Sequence, residues 1–136
     1  MPRVDIQNLR NVALLSHSGA GKTSLSEALL FQVNATTRLG RVEDGNTVSD
    51  YEPEEARRGS STQATLIACA WDDQKVNFLD TPGYDDFQGE VAGALRVVEG
   101  AVILVAAPSG VDVGTERSWN TSVAAGLPRM FVVNKM

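Results

Sequence analysis

A chain of 136 residues with 17 acidic against 12 basic side chains, net charge −5, offers no basic field for nucleic acid or an anionic membrane surface. Its hydrophobic share of 43% suffices for one domain with a real core, while no apolar run approaches bilayer-spanning length. Cys69 is the only cysteine, so no intrachain disulfide can form; without a signal-peptide layout, the reducing cytoplasm is the expected setting.

The elements alternate along the chain. Val12 to Leu15 reads as a short buried strand, and Ser24 to Gln32 as a helix with Leu25, Ala28 and Leu29 on one face. Between them lies Ser16-His17-Ser18-Gly19-Ala20-Gly21-Lys22-Thr23, a glycine-containing loop opening a helix on Lys-Thr. Glycines let backbone N–H groups turn inward around a di- or triphosphate, and the helix N-terminus adds its positive dipole end. Lys22 would reach the β- and γ-phosphates and the Thr23 hydroxyl would hold Mg²⁺, with Ser18, Gly19, Ala20, Gly21 and Ser24 completing the nucleotide contacts. The usual pattern has Gly where Ser16 stands. His17, the single histidine, shapes the loop rather than building a metal site.

From Asn34 onward the apolar content falls, with Gly40, Gly45, Pro53 and Gly59 among many charges, and residues 34–63 read as a switch-type loop without regular pattern. Thr65 to Trp71 and Lys75 to Leu79 form two strands joined at Asp72-Asp73. Asp80-Thr81-Pro82-Gly83 then breaks the chain, and Asp86 caps a helix that carries Val91, Ala94, Leu95 and Val98 inward and ends at Gly100. Ala101 to Ala106 is continuously apolar, as a parallel strand covered on both faces should be. Thr115 caps a helix with Trp119 and Val123 one turn apart, closed by Gly126 and Pro128; Met130 to Val133 is the last strand. This alternation predicts an α/β domain with an open, mostly parallel sheet and flanking helices. Ligands of such sheets sit at the carboxyl ends of the strands, where Ser16 to Thr23, Asp80 to Gly83 and Asn134-Lys135 all fall.

In a nucleotide switch the Asp of Asp-x-x-Gly bonds Mg²⁺ through water, and the Gly N–H contacts the γ-phosphate. Asp80 and Gly83 take those places, and each motif, weak alone, gains weight from its order and from standing at a strand end. With these residues the chain resembles the GTP-binding domain of a translational GTPase of the elongation factor G family, a P-loop NTPase fold, across nearly its whole length. Asn11 to His17, Gly21-Lys22-Thr23, Arg57-Arg58-Gly59, Asp80 to Gly83 and Val132 to Met136 carry the likeness. The resemblance implies GTP or GDP with Mg²⁺ as ligands, Asn134 and Lys135 at the guanine base, and the ribosome as partner. No membrane partner and no direct sequence-specific nucleic-acid contact within these residues are expected.

Three positions depart from the family pattern. Ser18-Gly19 stands where the family has Ile-Asp, and Ser60-Ser61 where it has Ile-Thr, which makes Ser61 the expected metal hydroxyl and Thr62 a register-shifted second. Tyr84 stands where the family's His orients the attacking water. A phenol is longer than an imidazole and a poorer proton acceptor near neutral pH. The expected catalytic set is therefore Lys22, Gly83 and Tyr84, and the metal set Thr23, Ser61 and Asp80. The departures liken the chain most to the diverged elongation factor G-like paralogues, with slow hydrolysis. The family's guanine-reading Asp would be residue 137, so the sequence is expected to be a single GTP-binding domain over 1–136 that is incomplete at its C-terminal end, lacking the last strand and closing helices. A nucleotide-binding module with little hydrolysis, a ribosomal protection or release-type GTPase, and an ATPase or kinase of another P-loop family are the alternatives.

Overall fold

The structure is a computed structural model that describes residues 5–136. Five strands form one sheet in the order β2-β3-β1-β4-β5: β1 (Leu9–Leu15), β2 (Thr65–Trp71), β3 (Gln74–Asp80), β4 (Gly100–Ala106) and β5 (Arg129–Asn134). β1 runs parallel to both β3 and β4, β4 parallel to β5, and only β2 is antiparallel, because a short turn joins it to β3. The open, mostly parallel α/β sheet expected from the alternation is present.

The period-two alternation of the central strands sends side chains to two cores. Ala13 and Leu15 of β1 with Ala101 and Ile103 of β4 face α3 (Gln88–Leu95), packing on Val91 and Leu95. Leu14, Leu104 and Ala106 point the other way, toward α1 (Lys22–Gln32) and its Leu25. Near β2, Leu30 of α1 closes over Ile67 and Cys69.

Several local expectations are corrected. The face that α1 buries is Lys22, Ser26, Glu27 and Leu30, and Ala28 is exposed, because the helix also holds loop 34–63 against its flank. That loop is not without regular structure: it contains a 3₁₀ turn at Val42–Asp44 and a helix, α2 (Pro53–Arg58). Its signals were all present: proline in the first turn, Glu54 and Glu55 after it, Arg57 and Arg58 before the end, and Gly59 at φ 62° stopping the helix. Six residues are too few for periodicity to show.

Asp86 lies inside a 3₁₀ turn (Asp85–Phe87) and caps nothing; α3 begins at Gln88 and ends at Leu95, and Gly100 starts β4 instead. The cap of α4 (Val113–Ala124) is Asp112, whose Oδ1 accepts from Thr115 N at 2.7 Å and from its hydroxyl at 2.9 Å. Thr115 and Ser122 form the buried face of α4, while Trp119 and Val123 are exposed. Small side chains face inward because this helix approaches closely: a Cβ on Gly114 would stand 2.6 Å from the Cβ of His17. Trp119 instead stacks on Phe131 with centroids 5.4 Å apart, under the Arg129 guanidinium.

Candidate functional site

β1 ends at Leu15 and α1 begins at Lys22, so residues 16–21 must reverse the chain within one loop. Gly19 and Gly21 do this at φ 81° and 94°, conformations open mainly to glycine. Gly21 also accommodates Asn134, whose amide would collide with any Cβ placed there. Asn134 Nδ2 donates to Ala20 O at 2.9 Å, so the last strand is tied directly to the loop. Ala20 itself is buried in the core beside Leu14 and Leu104.

The loop, residues 59–61 and residues 83–84 enclose a cleft of about 270 Å³. Ser18, Gly19, Gly21, Lys22, Thr23, Ser24, Ser61, Gly83, Tyr84 and Lys135 line it, together with Val42, Glu43, Asp50 and Ser60. Gly83 presses against the loop so closely that a Cβ would lie 2.6 Å from Ser18 N and 2.7 Å from Lys22 Nζ. Tyr84 is 44% exposed at the cleft, and behind it Asp85 pairs with Arg117 of α4.

Lys22 is buried, and its ammonium donates to Ser16 Oγ at 2.8 Å and to His17 O at 3.2 Å. Ser16, the departure from the usual glycine, therefore supplies an acceptor that glycine lacks; its own hydroxyl donates to His17 O at 2.8 Å. Burial pushes Lys22 down to about 8, against the pull of Asp80 and then Asp50. Burial likewise pushes Asp80 up to about 6, with Lys22 opposing it. His17 Nδ1 lies 2.5 Å from Ser18 O and 3.4 Å from Asp112 Oδ2, which braces the loop against α4.

The metal corner is built of oxygens. The Thr23 and Ser61 hydroxyls are 3.3 Å apart, and Ser61 Oγ donates to Asp50 Oδ1 at 2.6 Å. Asp80 is buried at the end of β3, and neither of its carboxylate oxygens is in hydrogen-bonding geometry with a partner, although Thr23 and Ser49 lie near enough to favour its charge. An orphaned buried carboxylate beside two hydroxyls is a hard-oxygen donor set and fits Mg²⁺. Among the described residues no group of three His, Cys, Asp or Glu could hold a metal by itself, so such a cation would need ligand oxygens from elsewhere, as a nucleotide's phosphates provide.

Sequence reasoning missed Asp50, Glu27 and Glu55. Asp50 is buried in the cleft, its carboxyl raised by burial and eased by the Ser61 hydrogen bond. Nothing in Thr47-Val48-Ser49-Asp50 distinguishes it from an ordinary turn acid. Glu27 holds the far side of the long loop: Val48 N donates to its Oε1 at 2.6 Å and Gly40 N to its Oε2 at 3.1 Å.

Comparison with known proteins gives the family and the fold. The elongation factor Tu GTP binding domain family matches residues 7–136. The chain is 42% identical over 134 residues to the mitochondrial ribosome-releasing factor 2 of Meyerozyma guilliermondii, an alignment covering 98% of this chain and 16% of that protein. It is 40% identical over 131 residues to elongation factor G 2 of Streptomyces coelicolor, covering 96% of this chain and 19% of that one. A crystal structure of a Thermus thermophilus protein superposes with a TM-score of 0.91 at 46% identity, over 93% of this chain and 19% of the other. The chain thus spans less than a fifth of the length of each of these three.

Proposed function

Because the chain belongs to the elongation factor Tu GTP binding domain family, we propose that it is a GTP-binding and GTP-hydrolysing switch domain of a ribosome-associated, elongation factor G-like protein. The observation that carries this reading is the cleft itself, where the phosphate loop, Ser61 and Gly83 converge on Lys22 and Asp80. A buried ammonium and a buried carboxylate, each shifted against its charge, are both relieved by a bound phosphate–cation pair.

In this reading Lys22 neutralises charge on the transferring phosphoryl group, and Gly83, packed against the loop, offers its N–H to the γ-phosphate. Thr23, Ser61 and Asp80 would hold Mg²⁺, which would supply neutralisation of phosphate charge. Ser18, Gly19, Ala20, Gly21 and Ser24 surround the phosphates, with Asn134 and Lys135 toward the base. GTP orders residues 57–62 and 80–86, and hydrolysis releases them. The ribosome as partner is inferred through the relatives, one of which is named a ribosome-releasing factor, and the cytoplasm as setting through the single cysteine; that relative is itself named mitochondrial. No helix among the described residues is long and apolar enough to cross a membrane.

Tyr84 favours a second reading within the same site, a nucleotide-binding module that hydrolyses slowly. It stands at the cleft where the family places its water-orienting His, and Ser18 and Ser60, also at the cleft, replace the apolar pair around it. Calorimetric titration with Mg²⁺·GDP should give one site that Lys22→Ala weakens at least about a hundredfold, the loss of a charge-assisted phosphate contact. Absence of GDP binding, or binding indifferent to Lys22, would overturn the nucleotide reading. GTP turnover with and without ribosomes then separates the two forms: Tyr84→His should raise the rate at least about tenfold if the missing imidazole limits it. An unchanged rate returns the role to another group.

A further inference from the structure

Glu55 does not itself line the cleft, yet it is almost completely buried in the first turn of α2. Its Oε1 accepts from Thr62 N at 2.7 Å, from Thr62 Oγ1 at 3.1 Å and from Gln63 N at 3.2 Å. Its backbone carbonyl holds the same segment from the other side, accepting from Gly59 N at 2.8 Å and Ser60 N at 3.3 Å. Gly59, in the left-handed region, turns the chain back so that both sets of bonds can form.

The consequence is a choice of register. With the Thr62 hydroxyl bound to Glu55, Thr62 stays out of the cleft, and Ser61 stands there beside Thr23 and Asp50. A slip by one residue that carried Thr62 into the cleft would set Gln63 against Glu55 in its place, and the buried carboxylate would lose its hydroxyl donor. We propose that Glu55 is a positioning residue that sets the register of the switch segment, so that Ser61 and not Thr62 presents its hydroxyl to the metal of a triphosphate complex. The inference rests on the reading of Ser61 as a metal hydroxyl.

The test is equilibrium titration with GDP and with a non-hydrolysable GTP analogue over a range of Mg²⁺, for the wild type, Ser61→Ala, Glu55→Ala, Glu55→Asp, Glu55→Gln and the Glu55→Ala/Ser61→Ala double variant. Ser61→Ala and Glu55→Ala should each lower the Mg²⁺-dependent affinity for the analogue about tenfold, with GDP affinity held within about threefold. The double variant should lose no more than Ser61→Ala alone, since both act through one hydroxyl. Glu55→Gln keeps an acceptor and should recover to within about threefold of the wild type. Glu55→Asp, one methylene too short to reach Thr62 N, should fail like Glu55→Ala, and it carries the comparison if Glu55→Ala no longer binds GDP. Wild-type affinity for the analogue in Glu55→Ala alongside a loss in Ser61→Ala overturns the proposal, as does a fall in GDP affinity parallel to that for the analogue in Glu55→Asp, the mark of a merely structural role. An intact Ser61→Ala overturns instead the metal role on which the proposal stands.

Discussion

Lys22 and Asp80 are buried in one another's field, and each is shifted away from its charged form. The sign of their effect on stability follows from which state holds the proton more tightly. Between the ordinary carboxyl value of 3.8 and about 6, the folded chain binds the Asp80 proton more tightly than the unfolded chain does, so stability falls as pH rises through that window. Between about 8 and the ordinary lysine value of 10.5, the unfolded chain holds the Lys22 proton more tightly, so stability rises with pH there. Both charges are therefore carried at a cost between about 6 and 8. Urea midpoints of the nucleotide-free chain should show it: Asp80→Asn should make the decline between pH 4 and about 6 shallower than in the wild type, with Asp50, also raised by burial, supplying part of what remains. Two parallel pH profiles would show that Asp80 is not the group responsible. At this scale the sequence placed Lys22, Thr23, Asp80 and Gly83 within a few residues of a strand end, where the structure brings them together. Asp50 was illegible because its partner, Ser61, is supplied by folding and not by the neighbouring sequence.

At the scale of elements, the long loop between α1 and β2 is held by buried carboxylates from two helices. Glu27 of α1 uses both oxygens, one for Gly40 N and one for Val48 N. A Cβ on Gly40 would run into that carboxylate, so glycine is needed there for close approach. Glu27→Gln replaces one acceptor with an N–H that faces another N–H, and should cost about 1–3 kcal/mol in urea unfolding, with faster proteolysis between residues 40 and 50. A variant as stable and as protease-resistant as the wild type would show that the loop is closed by other contacts. The strands were legible to within a few residues because each is a local apolar run. The helix α2 was not, despite a full set of start and stop signals, and the cap of α4 is Asp112 where Thr115 was expected. Trp119 and Val123 carry the helical period, but close approach to His17 selects Thr115 and Ser122 for the interior.

Across the whole molecule, one central pair of strands serves two cores and one site. β1 and β4 lie side by side in the middle of the sheet, and their alternating residues pack α1 on one face and α3 on the other. Ile103 is fully buried in the second of these layers, so Ile103→Ala should cost about 2–5 kcal/mol in chemical denaturation, the lost transfer energy plus a cavity. A loss under about 1 kcal/mol would mean that α3 collapses onto the gap. The same parallel arrangement brings the ends of β1, β3 and β5 to one edge, which is where the phosphate loop, Asp80 and Asn134 meet. The order of elements, the mostly parallel sheet and the strand-end positions of the residues proposed for phosphate and Mg²⁺ were legible in the sequence alone, because apolar runs, glycines and strand-end motifs are local properties. The closure of residues 34–63, the burial of Asp50, the bonds of Glu27 and Glu55 to the loop and the contact of Thr62 with Glu55 were decided only by the tertiary structure. Each depends on buried carboxylates meeting donors that stand beside them only once the chain has folded.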